Sequence, residues 1–314
     1  MSTPDRLRIT PRGPFSLAES SRFLCGFTPA TGACDATPGV LSLAFLDDRT
    51  FAPVVARVRQ EPDGAVRADV GAEHAAQIAR ILSLDHDALG LAAVAARDSI
   101  VARLWAARPG FRPVCFASPY EAAVWGVLAQ RCPMPVAAAM KRALARATGG
   151  SVELGGATFD ASPRPLGLLD LDAFPGLPAE KLARLRGIAR AALDGELDAG
   201  ALRAMDPERA RERLRSLRGI GPWTAGHVLV RGAGTVDELP LEEPRVARAV
   251  GEAYALCPAP TRATIVRLAE AWRPFRTWVI VRLVTELSAE GWRAPRRARP
   301  ARPARTPRQL RLTA

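Results

Sequence analysis

The sequence predicts an α+β protein: a small antiparallel sheet near the N-terminus, an all-helical body after it, and a basic tail. Three observations predict this. Segments 54–59 and 65–70 alternate in polarity and flank Pro62-Asp63-Gly64, a β-hairpin signature. From 108 to 292 the chain reads as a succession of helices punctuated by caps, prolines and glycines. From Arg293 onward it is rich in arginine, proline and alanine and carries no acid, a composition that builds no core. The expected organisation is a sheet domain at 1–107, a helical domain at 108–292 and a disordered basic tail at 293–314.

Composition narrows the function classes. The 314 residues, 48% of them apolar, suffice for one large domain or two modest ones. No apolar run reaches the ~18 residues of a membrane span. The opening MSTPDRLRIT has no apolar core of a signal peptide, so a cytoplasmic, nucleoid-associated protein is expected, with no membrane partner. The five cysteines, at 25, 34, 115, 132 and 257, form no CxxC pair, which suggests neither a disulfide framework nor a zinc site. A net charge of +12 and a pI near 10.8 point to a polyanionic partner. Eight arginines lie in the tail, leaving +4 on the rest. The tail reads equally as a salt-sensitive DNA tether or as a solvated appendage.

The elements follow in order. A short helix is expected at 15–24, a strand at 40–46, then the hairpin, then helices at 72–82 and 87–107. His74 and His86 read as surface residues rather than ligands. Ser118 can cap a helix beginning at Pro119 and supported by Glu121. That helix runs to about Leu128, and Pro133 and Pro135 precede another at 136–147. A Gly/Pro-rich loop is expected at 149–167, and Gly176-Leu177-Pro178 leads into a helix at 179–194 ended by Gly195. Helices at 261–271 and 276–289 finish the body, with Trp272 and Trp278 as packing residues. No GxGxxG, Walker loop or HExxH is present.

The stretch from Arg209 to Val250 carries the functional signal. Asp206 can cap a helix with Pro207 at its first position; Leu214 and Leu217 share one face, and Arg209, Arg211, Arg213 and Arg215 cover the others. Leu217-Arg218-Gly219-Ile220-Gly221 permits a very tight turn, and Pro222 is suited to open the next helix, which Gly232 is expected to close. A helix N-terminus behind a glycine turn offers free amides and a favourable dipole to an anion. With arginines on both sides, a nucleic-acid phosphate is the natural ligand.

Leu217, Gly219, Ile220, Gly221, Trp223, Thr224 and Ala225, the loop with Gly232, Gly234 and Pro240, and the acidic pair Glu242-Glu243 together resemble the helix-hairpin-helix DNA glycosylase superfamily. That superfamily also carries a Gly/Pro-rich loop and a catalytic aspartate. The alkylated-base branch, of the DNA-3-methyladenine glycosylase II type, is most similar. Segments 106–110, 128–130 and 271–276 agree with it, and the resemblance spans roughly residues 7–293.

The resemblance implies a monofunctional glycosylase of base excision repair acting on alkylated or otherwise damaged purines in double-stranded DNA, as a monomer. It places the catalytic aspartate on Glu243, one methylene longer, with Glu242 and Asp237 as fallback acids. It implies DNA contacts at Arg218, Gly219, Ile220, Gly221 and Thr224, a base pocket at Trp223 and His227, and a wedge at Gln130 and Arg131. Two family pocket aromatics are replaced, by His227 and Val284, and the apolar wedge is replaced by Arg131. The only lysines are Lys141 and Lys181, outside the hairpin, so no lyase activity is expected. Only Cys257 lies where some relatives hold an iron–sulfur cluster, so none is expected. No cofactor is implied beyond a monovalent cation on hairpin carbonyls. The rival readings are a non-catalytic DNA-binding protein on the same fold, and a protein-interaction module using the hairpin for packing.

Overall fold

A computed structural model describes residues 7–289, and the basic tail at 293–314 lies outside them. β1 (Leu7–Ile9) precedes α1 (Leu17–Cys25), whose cap Ser16 accepts from the Glu19 amide. β2 (Cys34–Thr37), β3 (Val40–Leu46), β4 (Pro53–Gln60) and β5 (Val66–Ala68) complete an antiparallel sheet ordered β1-β5-β4-β3-β2. The hairpin across Pro62-Asp63-Gly64 sets Gln60 opposite Val66, as its turn chemistry requires. Strands β1 and β2 run only three and four residues, too short to display alternation, and tertiary pairing forms them.

After a 3₁₀ turn, α2 (Ala75–Ile81) leads to α3 (Leu91–Arg97) and α4 (Ser99–Ala107). These two replace the single helix expected at 87–107. Asp98 makes the break: its backbone is extended, and its carboxylate caps α4 by accepting from the Ile100 and Val101 amides. It also accepts from the Tyr254 hydroxyl and the Trp272 indole, contacts that no local pattern announces.

Then come α5 (Pro119–Leu128), α6 (Met134–Ala147), β6 (Ser151–Leu154) and β7 (Ala157–Asp160). Ser118 caps α5 through the Glu121 amide as anticipated. Segment 149–167 is not a loop. Gly155 and Gly156 both take positive φ (60° and 81°), closing the two-residue turn of a β6–β7 hairpin, and α7 (Pro165–Leu169) follows. The remaining helices are α8 (Ala179–Leu193), α9 (Ala199–Ala204), α10 (Pro207–Ser216), α11 (Pro222–His227), α12 (Arg245–Ala253), α13 (Arg262–Ala269) and α14 (Arg276–Ala289). Among the described residues, no helix is long and apolar enough to cross a membrane.

Three apolar clusters hold these elements. One face of the sheet buries Leu41, Phe45 and Val58 against Leu17, Leu24 and Ile78 of α1 and α2. Every residue of α5 is buried, so this helix is the axis of the middle cluster, which includes Leu144, Leu185, Leu214 and Val228. The third cluster joins Val94 and Val101 of α3 and α4 to Val246, Val250, Trp272, Trp278 and Leu283. Both tryptophans are packing residues, as expected. Arg112 is fully buried and donates to the carbonyls of Arg12, Gly13, Pro14, Ser83 and His86, tying the N-terminal segment to the helical body. Five acceptors offset the cost of desolvating its charge.

Candidate active site

The hairpin between α10 and α11 forms as its sequence dictates. Asp206 accepts from the Glu208 and Arg209 amides, and the Ile220 amide donates to the Leu217 carbonyl at 3.0 Å, closing the turn. Gly219 has φ +96°, and a Cβ there would stand 2.7 Å from Cδ of Arg184. The turn therefore admits only glycine. Gly221 is extended, and no side chain caps α11, so its first amides remain available. Arg218 is exposed at the tip. Ile220 and Thr224 are buried, so what they can offer a ligand is backbone. Thr224 packs on α5, where a Cβ on Gly126 would meet its Cγ2 at 2.4 Å. Gly232 does not end the second helix. The helix widens into a π turn at Val228–Ala233 and stops at Gly234, φ +76°. Gly232 instead lets that turn approach α5, since a Cβ would lie 2.8 Å from Pro119 Cα.

Glu243 sits directly beside α11, held at both oxygens. Its Oε2 accepts from Nε1 of Trp223 at 3.1 Å. Its Oε1 accepts from the Arg245 amide at 3.1 Å and from Arg245 Nε at 2.7 Å. Burial raises the carboxyl's affinity for its proton, but Arg245 and the Trp223 indole outweigh it and hold the pKa below the usual glutamate value. The group is ionised at neutral pH. A carboxylate accepts at about four positions, so Oε2 keeps one for a water molecule. The fallback acids are engaged elsewhere. Glu242 accepts from Arg262 at 3.0 Å, with its other oxygen directed towards Gly226 of α11. Asp237 is clamped by Arg273 and Arg276, each at 2.8 Å.

Trp223 stacks on His227 with ring centroids 4.8 Å apart and planes 12° from parallel. Phe116 meets His227 edge-on at 5.2 Å, and Phe27 of the N-terminal segment meets Phe116 likewise at 5.2 Å. Arg231 is half-buried beside them, with its guanidinium 4.8 Å from the Phe27 ring centre and 5.1 Å from that of Phe23. His227 Nε2 is buried without a partner, and burial, Arg231 and Arg245 together push its pKa down to about 3 despite Glu243. The imidazole is neutral. Val284 is half-buried against the third apolar cluster. Phe116, Arg231 and Arg245 belong to this site and were not singled out in the sequence. Only Arg245, a basic residue two places after the acid, left a local signal.

The wedge pair lies at the end of α5. Gln130 Nε2 donates to the Gly219 carbonyl at 2.7 Å, and its Oε1 accepts from Arg184 at 2.8 Å. Lys181 donates to the carbonyls of Leu128 and Gln130 at 2.9 and 2.8 Å. The corner is thus fastened to both the hairpin turn and α8. Arg131 projects from it, exposed and with φ +52°.

No family model matches the chain. It is 33% identical over 218 residues to a Mycobacterium tuberculosis protein described as a probable bifunctional transcriptional activator/DNA repair enzyme AlkA, covering 68% of this chain and 42% of that one. It is 28% identical to DNA-3-methyladenine glycosylase 2 of Escherichia coli (62% of this chain, 66% of that one). Against DNA-3-methyladenine glycosylase of Bacillus subtilis the figures are 27% identity, 54% and 57%. The chain therefore matches between about two fifths and two thirds of these relatives' own lengths. In fold it matches a 3-methyladenine DNA-glycosylase from Archaeoglobus fulgidus, with a TM-score of 0.72 at 20% identity, covering 91% of this chain and 98% of that one. A Clostridium acetobutylicum 8-oxoguanine glycosylase/lyase aligns over 90% of this chain and 95% of its own, with a TM-score of 0.65 at 15% identity. In sequence the chain is thus similar to DNA-3-methyladenine glycosylases, and in fold to DNA glycosylases. The hairpin turn, the Glu242-Glu243 pair and the Gln130-Arg131 corner surround the N-terminal end of α11.

Two histidines depart from expectation. His86 is not a surface residue: its Nε2 lies 2.9 Å from the Gly234 carbonyl and its ring packs edge-on against Trp278. His74 is mostly buried, 3.2 Å from Asp47 and against Phe45. Both are packing residues. Among the described residues, no group of three or more His, Cys, Asp or Glu side chains could hold a metal ion.

Proposed function

We propose that this protein is a monofunctional DNA glycosylase that hydrolyses the N-glycosidic bond of a damaged purine in double-stranded DNA. The observation that carries this is the ionised Glu243 carboxylate, held by Trp223 and Arg245 beside the uncapped N-terminus of the hairpin helix. Bond cleavage builds positive charge on the deoxyribose, and a fixed carboxylate stabilises that charge and orients the attacking water. Oε2 has the free acceptor position for that water. The amides around Gly219 and Gly221, with Arg218, suit a backbone phosphate. Arg131, on its corner, fills the space a flipped nucleotide leaves. The names of the homologues support the same reading.

Lyase chemistry needs a free amine, and both lysines are committed. Lys141 is buried in an ion pair with Glu121, and Lys181 donates to two carbonyls at the wedge corner. A monovalent cation on the hairpin is compatible with the turn, because the Gly219 carbonyl bonded to Gln130 retains a second lone pair. The protein acts as a monomer in this reading.

One observation favours the alternative of a non-catalytic DNA binder: the Arg245 guanidinium already compensates the Glu243 charge at 2.7 Å. Single-turnover release of free base from duplexes carrying methylated purines, hypoxanthine or ethenoadenine separates the two. Release supports the glycosylase. Tight binding with no release from any of them establishes the binder.

A further inference from the structure

We propose that the site at Glu243 selects uncharged damaged bases over N-alkylpurinium cations, and that Arg245 sets this selection. The proposal rests on the glycosylase reading above and names the substrate class it would take.

The charges facing the stacked Trp223 and His227 rings are one carboxylate and two guanidiniums. Arg245 lies 2.7 Å from the Glu243 carboxylate, and Arg231 comes from the π turn that continues the same helix. The surrounding elements bring no further free anion. Glu242 is paired with Arg262, and Asp237 with Arg273 and Arg276. The wall contributed by Phe116 and Phe27 is uncharged, and the Val114 carbonyl is taken by Arg231 at 2.6 Å. His227 adds no charge, since burial and the two arginines keep it neutral. The local sum is positive.

A purinium is ordinarily attracted by aromatic faces and by a carboxylate. Both attractions are already used by the protein's own cations. The Arg231 guanidinium lies over Phe27 and Phe23, Arg245 holds Glu243, and one face of Trp223 is covered by His227. A cationic base would enter against two guanidiniums at short range, where charge repulsion is poorly screened.

The leaving group reverses the sign. In hydrolysis the water oxygen bonds to C1′ and passes a proton to Glu243, while the electron pair of the C1′–N9 bond goes to the base. A purinium departs neutral. An uncharged purine departs with that pair as an anion, until it takes a proton from solvent. Guanidiniums beside the Trp223 and His227 rings stabilise this developing anion and give a base that departs neutral nothing.

The test is single-turnover release from duplexes carrying 7-methylguanine or hypoxanthine, each expressed as acceleration over spontaneous loss. It uses the intact protein, Arg245→Met and Arg245→Lys. The expected acceleration is greater for hypoxanthine by about tenfold or more; Arg245→Met shifts the ratio about tenfold towards 7-methylguanine, and Arg245→Lys preserves it. A larger acceleration for 7-methylguanine in the intact protein overturns the proposal. So does a fall in both rates by the same factor in Arg245→Met, which would make Arg245 a mere support for Glu243. If neither duplex releases its base, the glycosylase reading is decided by the wider set of lesions above, and binding to 2′-fluorinated, uncleavable versions decides the selection. Tighter binding of hypoxanthine that Arg245→Met abolishes supports the proposal, and equal binding overturns it.

Discussion

The indole Nε1 of Trp223 donates to Oε2 of Glu243 at 3.1 Å. Trp223 is the second residue of α11, directly after the hairpin turn, so the helix whose first amides are uncapped also holds the Glu243 carboxylate. A displacement of about 1 Å at a reacting group can cost on the order of a hundredfold in rate. The bond gives the longer glutamate side chain a defined position that its extra methylene would otherwise blur.

The close approach of α5 and α11 is a stability determinant. Gly126→Ala places a methyl 2.4 Å from Thr224 Cγ2. Overpacking of this kind costs about 1–3 kcal/mol. Urea denaturation is expected to show that loss, and Thr224→Ser in the same chain is expected to restore most of it by removing Cγ2. Additive losses in the double variant contradict the contact.

The pH profile of base release follows from two shifted groups. The folded pKa of Glu243 is lowered, so its carboxylate form persists on acidification and is lost only as the pH falls below the ordinary glutamate value of about 4.3. His227, near 3, does not charge around 6.5. The rate is therefore flat from neutral pH to about 5. In stability, the neutral His227 contributes above its unfolded pKa of about 6.5, and that contribution falls away as the pH drops towards about 3. A rate inflection near 6.5 that vanishes in His227→Phe contradicts this assignment.

Borohydride added during reaction with damaged duplex is expected to trap no protein–DNA adduct, because the Lys141 and Lys181 amines are engaged. A trapped species lost in Lys181→Ala would show that the wedge-corner lysine comes free and attacks C1′.

The wedge corner separates two effects. Arg131→Ala removes an exposed side chain at a positive-φ position and is expected to slow base release while leaving thermal stability within about 0.5 kcal/mol. Gln130→Ala breaks the bonds to Gly219 and Arg184 and is expected to cost about 1 kcal/mol per bond as well as weakening binding to abasic DNA. Unchanged release in both variants removes the corner from the mechanism.

Much of this was legible because it is local. The Ser118 and Asp206 caps, the Pro62-Asp63-Gly64 turn and the Gly219 turn each rest on residues within a few positions of one another. The β6–β7 hairpin was also local, but four-residue strands around Gly155-Gly156 were hidden by the surrounding glycines and prolines. The bonds of Asp98 to Tyr254 and Trp272, the burial of His86 against Trp278 and the Phe27–Phe116–His227 wall join segments far apart in the chain, and no local pattern encodes them. At the acid itself the sequence points to Glu243, whereas the clamp by Trp223 and Arg245 required coordinates.

The central claim is that Glu243 is the acid of a glycosylase. Single-turnover base release by the intact protein, Glu243→Gln and Glu242→Gln measures it most directly. Losing one fixed electrostatic group at a developing charge typically costs about a hundred- to a thousandfold. The expected result is a loss of that size in Glu243→Gln, with Glu242→Gln within a few-fold of the intact protein. Release retained in Glu243→Gln, or lost only in Glu242→Gln, would contradict it.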